Sequence, residues 1–157
     1  MHITLETDYA IRIVDTLGKE SLKEDNGFKS CIDAGTISES TEVPLRFALK
    51  ILRKLVGGGL VKSYKGVYGG YRLIKPISEI TLYDVIEIVE GEYRFARCLS
   101  EGYSCNCSAD GLPCSYQQVF GGVSEMVKEY LKKQTFDKLI KPDAKGSQNA
   151  DIKSTEG

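Results

Sequence analysis

Apolar positions along the chain alternate between runs at helical spacing and short strand-like runs, with polar or glycine-rich breaks between them. Leu5, Tyr9, Ile13, Val14 and Leu17 predict a first helix over residues 3–19, with Asp8 and Arg12 on its other side. A polar connection from Lys19 to Lys29 follows, with Asn26-Gly27 as a turn signal. Asp33 is placed to cap a short helix over 34–41, and Glu42-Val43 reads as the turn after it. Leu45, Ala48, Leu49, Leu52, Leu55 and Val56 form one stripe of a further helix. Pro44 suits its first turn, and Gly57-Gly58-Gly59 ends it. Leu60–Tyr64 and Gly70–Ile74 read as two strands of a hairpin with residues 65–69 at its tip. Beyond Pro76, Thr81 caps a helix whose inner face is Leu82, Val85, Ile86 and Val89, and Gly91 closes it; its expected partner is the first helix. Helical spacing resumes from Tyr116 through Val119, Phe120, Val123, Met126, Val127, Tyr130 and Leu131.

Charge changes the meaning of the middle of this pattern. From Pro44 to Ser78 there are eight basic side chains and no acidic one, so a chain of net charge −1 carries −9 outside that window. Arg46, Lys50, Arg53 and Lys54 form a second stripe of the helix, turned away from the apolar one. A helix, a sharp turn and a basic hairpin make the layout of a winged helix-turn-helix, whose helix enters the major groove of duplex DNA while the hairpin reaches backbone or minor groove. The expected class is therefore mostly α with a small β-hairpin wing and a long C-terminal helix.

Composition narrows the class further. A chain of 157 residues with 41% apolar content supports one compact domain with a protruding arm. No stretch reaches the ~20 apolar residues of a membrane span. The start, Met1 to Glu6, lacks the basic and apolar regions of a signal peptide, so a cytoplasmic protein is expected. His2 is the only histidine, which argues against histidine acid–base catalysis and leaves carboxylate or cysteine chemistry open; with the basic helix, the expectation is a protein that is not an enzyme. Cys31 reads as a small half-buried hydrophobe. Cys98, Cys105, Cys107 and Cys114 crowd into a loop with glycine, serine and proline between them. Such thiols are compatible with an iron–sulfur cluster, zinc, a disulfide switch or unliganded cysteines; the Cys105-Asn106-Cys107 spacing does not fit a zinc knuckle. The expected division is 1–92 for the winged domain, 93–115 for the cysteine loop, 116–140 for the C-terminal helix and 141–157 for a disordered polar tail.

Several stretches together resemble the Rrf2 family of bacterial winged-helix regulators. They are Thr7-Asp8-Tyr9-Ala10-Ile11-Arg12, Leu45-Arg46-Phe47, Ile51-Leu52-Arg53-Lys54-Leu55, Gly59-Leu60-Val61-Lys62-Ser63 and Gly69-Gly70-Tyr71-Arg72-Leu73, then Glu79-Ile80-Thr81-Leu82-Tyr83-Asp84-Val85 and Glu90-Gly91. The resemblance covers about residues 1–135. It departs at the wing tip, where Val67-Tyr68 occupy positions usually held by proline and glycine. It implies a homodimer paired through the C-terminal helix and bound to a palindromic operator in double-stranded DNA. With helix position it makes Arg46, Phe47, Leu49 and Lys50 the candidates for base edges, with Arg53 on the same basic stripe. Lys62, Lys65 and Arg72 are the candidates for phosphates. It also implies a cluster, of the 2Fe–2S kind, in the loop: Cys98 and Cys114 match the outer ligands, and Cys105 or Cys107 the middle one. IscR-like members use a histidine where this chain has Gln117; NsrR-like members take an aspartate from the partner subunit, and Asp8 matches it. Four local cysteines, or three with Asp8, are both compatible, and the cysteines are favoured. A cluster-free regulator controlled by a partner protein or small molecule, as CymR-like relatives are, is the alternative.

Overall fold

In the computed structural model, which describes residues 3–23, 31–103 and 114–141, helix α1 spans Leu5–Ser21. The Thr4 hydroxyl accepts the Thr7 N–H at its start, and Ala10, Ile13, Val14 and Leu17 are buried along its inner face. Helix α2 covers Ala34–Thr41. As expected, Asp33 caps it: its carboxylate accepts the N–H groups of Gly35 at 2.9 Å and Thr36 at 3.1 Å. Glu42 then takes a left-handed backbone (φ 56°), which turns the chain sharply into the next helix.

Helix α3, Leu45–Gly57, differs from the sequence reading in its rotation. Its buried residues are Ala48, Ile51, Leu52 and Leu55, whereas Leu45 and Leu49 face solvent and Val56 is half-buried. Ile51 takes the inner place because it completes the i, i+3, i+4, i+7 set with Ala48, Leu52 and Leu55. Pro44 sits one position earlier than expected, as the residue before the first turn, and its carbonyl accepts the N–H groups of Phe47 and Ala48. At the far end Gly59 supplies the left-handed step (φ 73°) that lets the chain double back. Strands β1 (Val61–Tyr64) and β2 (Gly70–Leu73) pair antiparallel with Val61 opposite Leu73 and Tyr64 opposite Gly70. Ile32 adds a bridge to Tyr71. Gly70 makes that approach feasible: with φ 148°, a Cβ there would fall 2.5 Å from the Ile32 carbonyl oxygen.

Helix α4, Leu82–Glu90, starts in a reciprocal cap between Thr81 and Asp84 and packs on α1, as its spacing predicted. The long C-terminal helix is shorter than the expected 116–140. Helix α5 spans Ser115–Lys132, after which the chain folds back on the domain as the short helix α6, Phe136–Leu139. Thr135 bridges to Thr81, and the Phe136 N–H donates to the Ile80 carbonyl at 2.9 Å. Phe136 and Ile140 thereby enter the core beside α1 and the turn at Ile77. No helix among the described residues is long and apolar enough to cross a membrane. Phe136→Ala, which empties a fully buried site, is expected to lower unfolding free energy by ~3–5 kcal/mol in a urea titration. Leu139→Ala, on the exposed side of α6, should change it little.

Candidate nucleic-acid interface and cysteine arm

Burial of one side of α3 leaves Arg46, Phe47, Leu49, Lys50 and Arg53 on the other, all exposed. Arg46 lies 4.8 Å above the Phe47 ring, and Phe47 meets Tyr9 of α1 with ring centroids 6.2 Å apart. No side chain caps the start of α3. On the hairpin, Lys62 is directly opposite Arg72. Like charges across a strand pair ordinarily repel. Here both cations lie over the Tyr64 ring, Lys62 at 5.4 Å and Arg72 at 4.5 Å, and Arg72 also donates to the Tyr64 hydroxyl. Lys65 is exposed at the tip, whereas Arg72 is half-buried in its stack. All eight residues singled out from the sequence thus belong to α3 and the adjoining hairpin.

A carboxylate that the charge count missed enters this surface from α1. Glu6 Oε2 accepts from Lys50 Nζ at 3.1 Å, and Glu6 Oε1 lies 2.9 Å from Lys54 Nζ. Lys54 also donates to the Val89 carbonyl at 2.9 Å. The Lys54 ammonium, then Lys50, holds the Glu6 carboxyl below the ordinary carboxylate value against a partial loss of hydration. Glu6 and Lys50 are 44 positions apart and nothing between them signals this contact; the packing of α1 on α3 creates it. Farther along α1, Asp8 pairs with Arg12 at 2.8 Å and remains about half exposed.

The cysteine arm leaves α4 at Gly91 and is described as far as Tyr103 and again from Cys114. Glu92 binds Lys128 of α5 at 2.8 Å, and with Arg94 this draws its carboxyl down to about 2. The Phe95 N–H donates to Ser124 Oγ at 2.9 Å, and its ring meets Phe120 at 5.5 Å. Cys98 lies in a 3-10 turn, Arg97–Leu99, and Cys114 immediately precedes α5; both are half-buried free thiols, as is Cys31. Gln117, in the first turns of α5, donates its side-chain N–H to the Cys98 carbonyl at 2.8 Å. The Cys98 backbone is therefore tied to the end of α5 that Cys114 precedes. Cys105 and Cys107 lie outside the described residues, and among the described residues no group of three metal-ligating side chains converges.

On α5, Tyr116, Val119, Met126 and Tyr130 are exposed, with Val123 half-buried among them. Their alternating steps of three and four positions make a seam of the coiled-coil type. Beside the seam a cleft of about 360 Å³ lies between Ile3, Ile86, Tyr93, Val127 and Leu131.

Comparison with known proteins agrees with this geometry. A family model, Rrf2, described as an iron-dependent transcriptional regulator, matches residues 3–142. Protein aau3 of Rhizobium meliloti is 30% identical over 144 residues, 90% of this chain and 86% of that one. The HTH-type transcriptional regulator NsrR of Oceanobacillus iheyensis is 26% identical over 90% of each chain. Among solved structures, CymR, the global cysteine regulator of B. subtilis, superposes with a TM-score of 0.68 at 22% identity, covering 89% of this chain and 96% of that one. T. potens IscR gives 0.66 at 20% identity, covering 97% and 94%. These likenesses in structure speak for the fold.

A polyanion that takes up Lys50 and Lys54 competes with Glu6 for them. Glu6→Gln is expected to strengthen duplex binding by ~0.2–1 kcal/mol for each surface pair released; unchanged affinity in a fluorescence-anisotropy titration would show that the clamp does not compete. Because the Glu6 carboxyl is lowered in the folded chain, its contribution to stability is present above the ordinary carboxylate value. That contribution is lost as pH falls through the lowered one, and Glu6→Gln should remove this part of the acid sensitivity.

Proposed function

We propose, for a chain that belongs to the Rrf2 family of transcriptional regulators, that it acts as a dimer on a palindromic operator, with an affinity set by a 2Fe–2S cluster or by thiol redox state in the Cys98–Cys114 loop. The observation that carries this reading is the division of α3 into a buried face and a solvent face bearing Arg46, Lys50 and Arg53, continuous with a hairpin bearing Lys62 and Lys65. Arg46, Phe47, Leu49 and Lys50 would face base edges, and Arg53, Lys62, Lys65 and Arg72 the phosphates. The apolar seam of α5 supports pairing with a second copy, which would set two α3 helices on half-sites about one helical turn (~34 Å) apart.

Cys98, Cys105, Cys107 and Cys114 would hold the cluster, or three of them with Asp8 of the partner subunit, a residue that pairs with Arg12 at 2.8 Å in its own chain. The group supplies a centre that reacts with oxygen or nitric oxide. Gln117 fixes Cys98 against α5, while Glu92, Phe95 and Ser124 fasten the arm along the same helix. Glu90 then accepts from Thr4 at 2.8 Å and from Thr7, joining α4 to the start of α1. Glu6, within that first turn, reaches Lys50 and Lys54 of α3. These contacts link the cysteine loop, α5, α4 and α1 to α3, and a change at the cysteines would be passed to the recognition helix through them.

Anaerobic isolation tests the sensing half. The expected protein is coloured, contains iron, and changes its affinity for a duplex selected from a random pool when exposed to oxygen or nitric oxide. Cys98→Ser and Cys114→Ser should each abolish the visible absorption while leaving the thermal unfolding of the winged domain near wild type. A colourless, iron-free anaerobic protein with full affinity for the selected duplex would remove the cluster and leave control to a partner protein or small molecule.

A further inference from the structure

Among the described residues, the most exposed large apolar side chains are not on α5 but at the tip of the hairpin: Val67 is 96% and Tyr68 95% exposed. They occupy the two central positions of a turn closed by the Gly69 N–H donating to the Gly66 carbonyl at 3.0 Å. Gly66 takes φ 105°, and a Cβ on Gly69 would fall 2.3 Å from the Tyr64 carbonyl oxygen. Two glycines thus shape a tight turn that holds two apolar side chains out in water, an arrangement with a solvation cost and no compensation from the core. Directly behind them stand Lys65, Lys62 and Arg72, and the last two face each other across the strands in spite of their like charge. An occupant with negative charge on its rim and apolar surface inside would relieve both costs at once.

We propose, resting on the DNA-binding reading above, that Val67 and Tyr68 form an apolar wedge that enters the minor groove beside the half-site contacted by α3. Duplex DNA has the required chemistry: phosphates line the groove at the reach of the lysines, and base faces become accessible where a step opens. Apolar side chains inserted between base steps partly unstack them, most readily at flexible pyrimidine–purine steps. The tip therefore adds sequence preference by deformability at positions outside those read by α3, while the flanking cations hold its depth.

The experiment uses the full chain and duplexes that the wild-type protein selects from a random pool. Tyr68→Ala, at a side chain almost entirely in solvent, should leave thermal unfolding unchanged, weaken binding to the wild-type-selected duplex by roughly tenfold or more, and, in a repeated selection, lose the preference at the flanking step alone. Tyr68→Phe should retain both, since the ring and not the hydroxyl fills the step. A 2-aminopurine placed at that step should brighten on binding the wild type and Tyr68→Phe but not Tyr68→Ala. Tyr68→Ala with unchanged affinity and unchanged selection would overturn the wedge and leave the tip to a protein contact, with the DNA-binding reading intact. Failure of the wild type to select any duplex would overturn that reading and the wedge together.

Discussion

The complete burial of Ala48, Ile51, Leu52 and Leu55 in α3 is the constraint on which the rest of the molecule turns. Four inner positions fix the rotation of the helix about its axis, because rolling it by one residue would expose a leucine or isoleucine worth ~1.5–3 kcal/mol of burial. With rotation fixed, Arg46, Lys50 and Arg53 have no place but solvent. The hairpin inherits the same frame, since Leu60 and Val61 are buried beside α3 and Ile74 N–H donates to the Leu60 carbonyl at 3.0 Å. A hydrophobic requirement in the core is thus what aligns cations on two separate elements.

That alignment is costly in isolation, and the chain moderates it in two ways. Glu6 lends a carboxylate to Lys50 and Lys54, and Tyr64 offers its ring to Lys62 and Arg72. Both devices are near the surface, where each interaction is weak and exchangeable. The cations are therefore held in position without being locked to an internal partner. The cysteine arm is fastened differently: Glu92 and Phe95 grip α5, and Gln117 of α5 holds the Cys98 carbonyl, so a change at Cys98 or Cys114 bears on the same helix that carries the apolar seam.

How much could be read beforehand followed from how local each signal is. Asp33 and Thr81 announce their helices because a cap bonds N–H groups two or three residues away. The hairpin is legible because its strands are neighbours in sequence, and the basic window because no acidic residue interrupts it. The exchange of Leu45 and Leu49 for Ile51 on the inner face was not legible: a helix with apolar residues on more than one side needs its neighbours to choose. Phe136 and Ile140 were missed for a related reason, as a short segment after a long amphipathic helix carries no period of its own, and its anchor is the distant carbonyl of Ile80. Glu6 was hidden by sequence distance. The roles proposed for the cysteines rest on the family resemblance; the structure adds that the Cys98 carbonyl is held by Gln117 and that Cys114 immediately precedes α5.

Whether α3 and the hairpin act together as one cationic surface is tested most directly by the salt dependence of duplex binding. Affinity of the full chain for its selected duplex should fall linearly on logarithmic axes as salt rises, with a slope of about 0.9 for each phosphate engaged. A steep slope, reduced by about one when Lys65 is replaced by alanine, is the expected result. An affinity that hardly responds to salt would mean that these lysines and arginines do not meet a polyanion.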